Sequence, residues 1–189
     1  LYKCVVSNTG GSVTSNTATL TVTPAGNGSG TITHEVWTGI SGDLISALTS
    51  HANYPNNPSS SAEITAFSVG SIGDSYGTRI HGFVHPSTTG SYTFYIAGDD
   101  DCELWLSTNS DSTNITKIAS HSGYTAAQEW NKYSSQKSAT INLQAGSKYY
   151  IRALHKEDAG GDHVAVAWSG PSLSQQVIPG SFLSPWDGS

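Results

Sequence analysis

The triplet Asp99-Asp100-Asp101 sets three carboxylates on consecutive residues, between an apolar run ending Ile96-Ala97-Gly98 and another opening Glu103-Leu104. Carboxylates this close repel one another unless something takes up the charge. Two uses compete: a metal site, or a solvated acidic turn whose side chains cap backbone N–H groups. With no thiol or imidazole in the triplet, the metal it suits is a hard cation such as calcium, which takes roughly six to eight oxygen ligands.

Such an ion needs oxygens from elsewhere, and the stretch Glu157-Asp158-Ala159-Gly160-Gly161-Asp162-His163 is the obvious donor. Its glycines let backbone carbonyls approach an ion. Asp162 is the favoured ligand here, ahead of Asp158 and Glu157. An ion left partly unsaturated by protein keeps open positions for a ligand, and exposed aromatic rings beside it offer flat apolar surface. Tyr124, Trp130 and Tyr133, in the weakly patterned stretch from Gly123 to Ser135, are the candidate rings. Trp130 reads equally well as a core residue. Gln128, Asn131 and His163 are candidate hydrogen-bonding partners for the ligand.

Other chemistries find less support. His81 and His85 are four residues apart, which would suit a metal on a helix, but on a strand that spacing separates them by about 13 Å. No His-Glu-x-x-His stretch, Gly-x-Ser-x-Gly elbow or phosphate-cradling glycine loop occurs. Glu103, Glu129 and Asp158 show no spacing that marks a glycosidase pair. The chain is therefore expected to bind and not to catalyse. Its eight Lys and Arg residues form no cluster and its net charge is -6, which argues against nucleic acid or an anionic membrane surface as partner.

The elements that must position these residues are strands. Charged residues are only 12% of the 189, while Gly, Ser, Thr and Asn fill much of the remainder, a turn-rich, strand-friendly composition. Strands are predicted at Arg79 to His85, Tyr92 to Ala97, Glu103 to Ser107, Thr116 to His121, Ala139 to Leu143, Tyr149 to Lys156 and Val164 to Trp168. Tyr92, Phe94 and Ile96 alternate, as do Val164, Val166 and Trp168, so each trio faces one side. A short helix is predicted from Asp43 to Thr49, capped by Ser41, with Leu44, Ile45 and Leu48 apolar. The stretch from Asn53 to Ser61 shows no periodicity. Short antiparallel strands with recurrent turn signals point to an all-β protein, an antiparallel β-sandwich.

The runs Gly82-Phe83-Val84-His85-Pro86, Thr89-Gly90-Ser91-Tyr92-Thr93-Phe94-Tyr95-Ile96, Asp99-Asp100 and Leu104-Trp105-Leu106 follow in order. Leu143-Gln144-Ala145-Gly146, Tyr149-Tyr150-Ile151-Arg152-Ala153 and Ala165-Val166-Ala167-Trp168 continue the series. Together they closely resemble the signature of the protective-antigen-type (PA-fourteen) β-sandwich domain, from about Thr31 to Trp186. Members of that family occur in toxins, adhesins, glycosidases and other surface proteins, and several with the aspartate pair bind sugars through calcium. In the resembling adhesins the two consecutive aspartates, joined by a cis peptide, hold the ion. Carried over, that role falls on Asp99 and Asp100, with Asp101 outside the ligand set. The adhesins often use Asn in the region of the 157–163 loop, a departure from the residues here.

Ahead of this domain, Tyr2 to Val22 reads as a hairpin, with strands around Tyr2 to Asn8 and Thr17 to Val22 and a Gly10-Gly11 turn. A Tyr two residues before Cys4 resembles the last two strands of an immunoglobulin-like domain. The expected organisation is thus an immunoglobulin-like C-terminal hairpin over residues 1–23, a linker over 24–30, and the sandwich over 31–187. Cys102 is expected as a buried apolar side chain, unpaired with Cys4. A chain opening at Leu1 with no leader reads as part of a longer protein. The reading as a whole is an extracellular, secreted or cell-surface bacterial module that binds a polysaccharide or glycan through Ca2+. The alternative is a structural or protein-binding spacer among neighbouring domains of its parent.

Overall fold

The computed structural model describes residues 3–17 and 26–188. The first of these segments is a hairpin of β1 (Val5–Asn8) and β2 (Gly11–Thr14), with Asn8 opposite Gly11. Its second strand starts at Gly11, well before the Thr17 expected from the sequence, because Thr9-Gly10 makes the turn. The rest of the expected second strand, from Ala18, lies outside the described residues. Cys4 is an exposed free thiol, and Cys102 is free and buried.

The strands of the remainder are β3 (Ile32–Thr38), β4 (Ser60–Ile64), β5 (Ser68–Val69), β6 (Tyr76–Val84), β7 (Gly90–Asp99), β8 (Asp101–Ser107) and β9 (Ile115–His121). They continue with β10 (Ile141–Leu143), β11 (Tyr149–Glu157), β12 (His163–Gly170), β13 (Leu173–Val177) and β14 (Leu183–Pro185). One sheet runs β4-β3-β6-β11-β8-β9 with β14 also on β6, and the other β10-β7-β12-β13 with β5 also on β12. Neighbouring strands pair antiparallel throughout. The expected β-sandwich is therefore what forms.

Period-two alternation decides what lies between the sheets. Tyr92, Phe94 and Ile96 from β7 meet Val164, Val166 and Trp168 from β12 in one apolar cluster with Ile80, Leu104 and Ile151 from the larger sheet. Trp168 anchors it, stacking on Tyr92 and meeting Phe182 edge-on, each with ring centroids 5.1 Å apart. Rings this large contribute heavily to the apolar area withdrawn from water.

Strands β6 and β11 are buried nearly end to end, because the outer face of the larger sheet is covered too. Helix α1 (Ile45–Thr49) lies there, and Ile45 and Leu48 pack with Trp37, Ile40 and Leu154 in a second cluster. The helix sits close because Gly77 has no side chain: a Cβ there would run into Leu48. Helix α1 is shorter than the sequence suggested and begins after Leu44, with no side-chain cap, so Ser41 does not play that part. Strand β4 falls where the sequence showed no periodicity. Its residues are almost all exposed, so no apolar alternation marks it.

Gly98, next to the acidic turn, sits against β8. A Cβ at this position would overlap the Sγ of Cys102 and crowd the His163 carbonyl. Gly98→Ala is therefore expected to cost about 1–3 kcal/mol by overpacking, read as a lower denaturation midpoint with an unchanged slope.

Candidate metal centre

Four strand ends meet at one edge of the sandwich. Strand β7 closes on Asp99 and β8 opens on Asp101, with a cis peptide joining Asp99 to Asp100. Across the smaller sheet, Asp99 faces His163 at the start of β12. In the larger sheet, Asp101 faces Lys156 near the end of β11, and Glu157 faces Tyr76. Inward-facing residues of β11 alternate through Ile151, Ala153 and His155, and the next step of that alternation is Glu157.

Glu157 is thereby delivered to the aspartates. One carboxylate oxygen each of Asp99, Asp100 and Glu157 lie within 4.8 Å of one another. Asp99 and Asp100 are half-buried and Glu157 is fully buried. Neither Oε1 nor Oε2 of Glu157 has a hydrogen-bond partner. A buried charge without a partner is costly in free energy, so such a group holds its proton more tightly. Burial, then the charges of Asp100, Asp99 and Asp162, push the Glu157 carboxyl up to about 7. Burial and the neighbouring Asp100 also raise Asp99.

Basic groups nearby answer this charge only in part, and among the described residues none makes an ion pair with Asp99, Asp100 or Glu157. The buried Lys156 ammonium donates to the Glu157 backbone carbonyl, and burial lowers its pKa. His155 is fully buried, and its Nε2 donates to the Asp99 carbonyl at 2.5 Å. Burial brings its pKa down to about 4, so the ring is neutral near pH 7. His121 is likewise lowered to about 4 by burial, and its Nδ1 donates to the Gly123 carbonyl at 2.9 Å.

Asp162, the ligand favoured on sequence grounds, has a different occupation. Its Oδ2 accepts from the backbone N–H of Ile72 at 2.5 Å, from that of Gly73 at 3.0 Å and from the Tyr76 hydroxyl at 3.0 Å. Burial alone would raise this carboxyl, but hydrogen bonds from Ser71, Ile72, Gly73 and Tyr76 outweigh that and hold it below the usual range. Only Oδ1 is left, buried and without a partner. Asp158 is also engaged, accepting from the Gly42 N–H at 2.6 Å. Asp101 accepts from the Gly123 N–H at 2.7 Å, the capping role that remained open for the triplet. His163 stands in register with Asp99, and its buried Nε2 has no partner.

The glycan-facing candidates divide. The 123–125 segment is tied to the turn by Thr125, whose N–H donates to the Gly98 carbonyl at 2.8 Å. Tyr124 beside it is 60% exposed, but one face of its ring carries the Lys132 ammonium 3.5 Å from the centroid. Tyr133 stacks on His121. Gln128 and Trp130 line a separate groove of about 370 Å³ with Tyr95 and Gln175, and no acidic-centre residue borders it.

Sandwich, acidic turn and facing loop together define a module of the kind the sequence runs resemble. The PA14 domain matches residues 27–180, and the chain belongs to that family. It is 34% identical over 150 residues to the mouse N-acetyl-beta-glucosaminyl-glycoprotein 4-beta-N-acetylgalactosaminyltransferase 1, an alignment covering 76% of this chain and 14% of that protein. Among solved structures, an anti-sigma factor domain-containing protein from Clostridium clariflavum superposes with a TM-score of 0.62 at 19% identity, over 90% of this chain and 52% of that one. The Epithelial Adhesin 6 A domain from Candida glabrata, in complex with Galb1-3GlcNAc, gives 0.58 at 17% identity, over 89% and 91%. These structural likenesses establish the shared fold. The chain thus spans a small part of its curated relative and about half of the clostridial structure.

Glu157 supplies a pH signature. Its folded pKa, about 7, exceeds its ordinary value of 4.5, so between these values the folded state binds more protons than the unfolded one. Its contribution to stability is fully present below about 4.5 and is lost as pH rises to 7. In metal-free protein, Glu157→Gln should gain stability relative to the parent across that window, because the amide never ionises. Thermal melts at half-unit pH steps measure the difference, which removes the opposite contribution of His121 and His155 common to both proteins.

Proposed function

We propose that this chain is a calcium-dependent carbohydrate-binding module of an extracellular protein. The observation that carries the reading is the pair of buried, unpartnered oxygens of Glu157 set against Asp99 and Asp100. The donor set is all oxygen, which fits a hard cation such as calcium and suits zinc or copper less well. Asp99, Asp100 and Glu157 would hold the ion, and the unpartnered Oδ1 of Asp162 is the further oxygen assigned to it in this reading. Bound calcium would supply positive charge and open coordination positions for two sugar hydroxyls.

The chain's own residues then shape recognition. His155 fixes the Asp99 carbonyl, and Asp162 pins the 72–76 turn to the β11–β12 loop, so the carboxylates are oriented before any ion arrives. Tyr124, exposed and next to the Thr125 that bonds Gly98, is the ring assigned to a sugar face in this reading. Gln128 and Trp130, in their own groove, serve a longer glycan or none. A glycan partner is supported by the adhesin domain of the same fold, whose structure contains a disaccharide. The alignment with the transferase covers 14% of that protein, and the reading here is binding without catalysis.

A spacer role is the second reading, and the hairpin favours it. Val5, Val6 and Val13 are 60%, 69% and 76% exposed, the apolar surface expected if residues 1–23 end an immunoglobulin-like domain, joined through residues 24–30 to the sandwich of 31–187. The two readings part on calcium. At an ion concentration about 100 times the dissociation constant, a folded-state ligand adds roughly 2.7 kcal/mol, or a rise in Tm of about 5–10 °C for a chain of this size. Asp99→Asn with Asp100→Asn should erase both this rise and chelator-sensitive signals on a glycan array. A parent protein whose Tm ignores calcium would sink the metal assignment.

A further inference from the structure

The outer face of the larger sheet carries a second arrangement, away from the carboxylates. Arg152 on β11 stands opposite Trp105 on β8 and His81 on β6, and Trp105 stands opposite Lys117 on β9. The Arg152 guanidinium lies 5.3 Å from the Trp105 ring centroid, and the Lys117 ammonium lies 5.8 Å from it. Trp105 is fixed by its Nε1, which donates to Glu103 at 3.1 Å, while Lys117 donates to the same carboxylate at 2.9 Å.

The charges on this face are unequally matched. Lys117 has Glu103, Arg79 has Glu35 and Lys148 has Asp187. Arg152 has no ion pair or hydrogen bond among the described residues, and its buried Nε is unpartnered. In a chain with 14 acidic and eight basic residues, a half-buried guanidinium held beside an indole and left without a carboxylate is unusual. A polar groove of about 350 Å³ runs beside β8, lined by Asp101, Glu103 and Lys117 with Ser46, Ser120 and Ser122. Along β8, Asp101, Glu103 and Trp105 share one face, so Trp105 is about 13 Å from Asp101.

We propose that Trp105 and Arg152 form a second saccharide subsite, taking a sugar that bears a carboxylate. The inference takes its ligand class from the proposed function but does not depend on the metal. A guanidinium meets a planar carboxylate through two parallel N–H···O bonds, and the Trp105 indole beside it helps hold that guanidinium in place. Repulsion from the acidic centre does not forbid this, since the separation exceeds the screening length of about 8 Å at physiological salt. Glu103, which is nearer, is already compensated by Lys117.

The test is calorimetric titration with trigalacturonate and with its fully methyl-esterified form, in EDTA so that neither the centre nor the saccharide carries calcium. The acid should bind roughly tenfold or more tightly than the ester, the gain expected of a charge-assisted pair. Arg152→Gln should abolish that preference at unchanged Tm, and Arg152→Lys should restore part of it. Asp99→Asn with Asp100→Asn should leave it intact, so failure of the calcium reading is seen separately. Equal binding of acid and ester, no binding of either, a preference that survives Arg152→Gln, or one lost in the aspartate double variant would each overturn the inference.

Discussion

Carboxylates crowded at one edge of the sandwich, without an internal cation paired to them, are the constraint around which this end of the molecule is built. Glu157 is buried with both oxygens bare, and Asp99 and Asp100 stand beside it. Such a grouping disperses unless the backbone prevents it. Here the backbone does: β7, β8, β11 and β12 pair in fixed register, and each carboxylate sits at or next to the end of a paired strand. The apolar core supports that register, since slipping any strand by one residue would turn Phe94, Ile151 or Trp168 out of the sandwich.

Much of this was legible in the sequence, because period-two alternation is a direct imprint of a half-buried strand. The seven strands predicted from it all form, and the aspartate pair lies at the β7–β8 junction. Strand β4 left no imprint because it is exposed on both sides, and the short strands β5 and β14 are too brief to show a period. The helix start was misplaced because Ser41 looks like a cap locally, whereas burial of Ile45 and Leu48 over Gly77 sets where the helix lies.

The third carboxylate was the harder reading. Glu157 and Asp162 occupy the same acidic stretch, and composition does not separate them. Strand phase does. Glu157 continues the inward row of His155 and so reaches the aspartates, whereas Asp162 lies beyond the loop, where three donors from the 72–76 turn claim one of its oxygens. The outer-face row of Lys117, Trp105, Arg152 and His81 escaped notice for a related reason. Its members are distant in sequence and are brought side by side only by the order β9-β8-β11-β6.

Lysine placement separates the two faces physically. At the acidic centre the available basic groups are withheld: Lys156 points its ammonium to a carbonyl and His155 stays neutral. A lysine salt bridge there would neutralise the charge permanently and close the centre with three fixed donors. Left open, the centre would under the proposed function be neutralised by a soluble cation, whose remaining coordination positions stay free for a ligand. On the outer face the relation inverts, for Glu103 and Glu35 compensate Lys117 and Arg79 while Arg152 is left over. Under the proposed function, the uncompensated negative centre and the uncompensated guanidinium would be two recognition elements of opposite sign. In the reading proposed here, one element senses a diol through a metal and the other senses an acid directly.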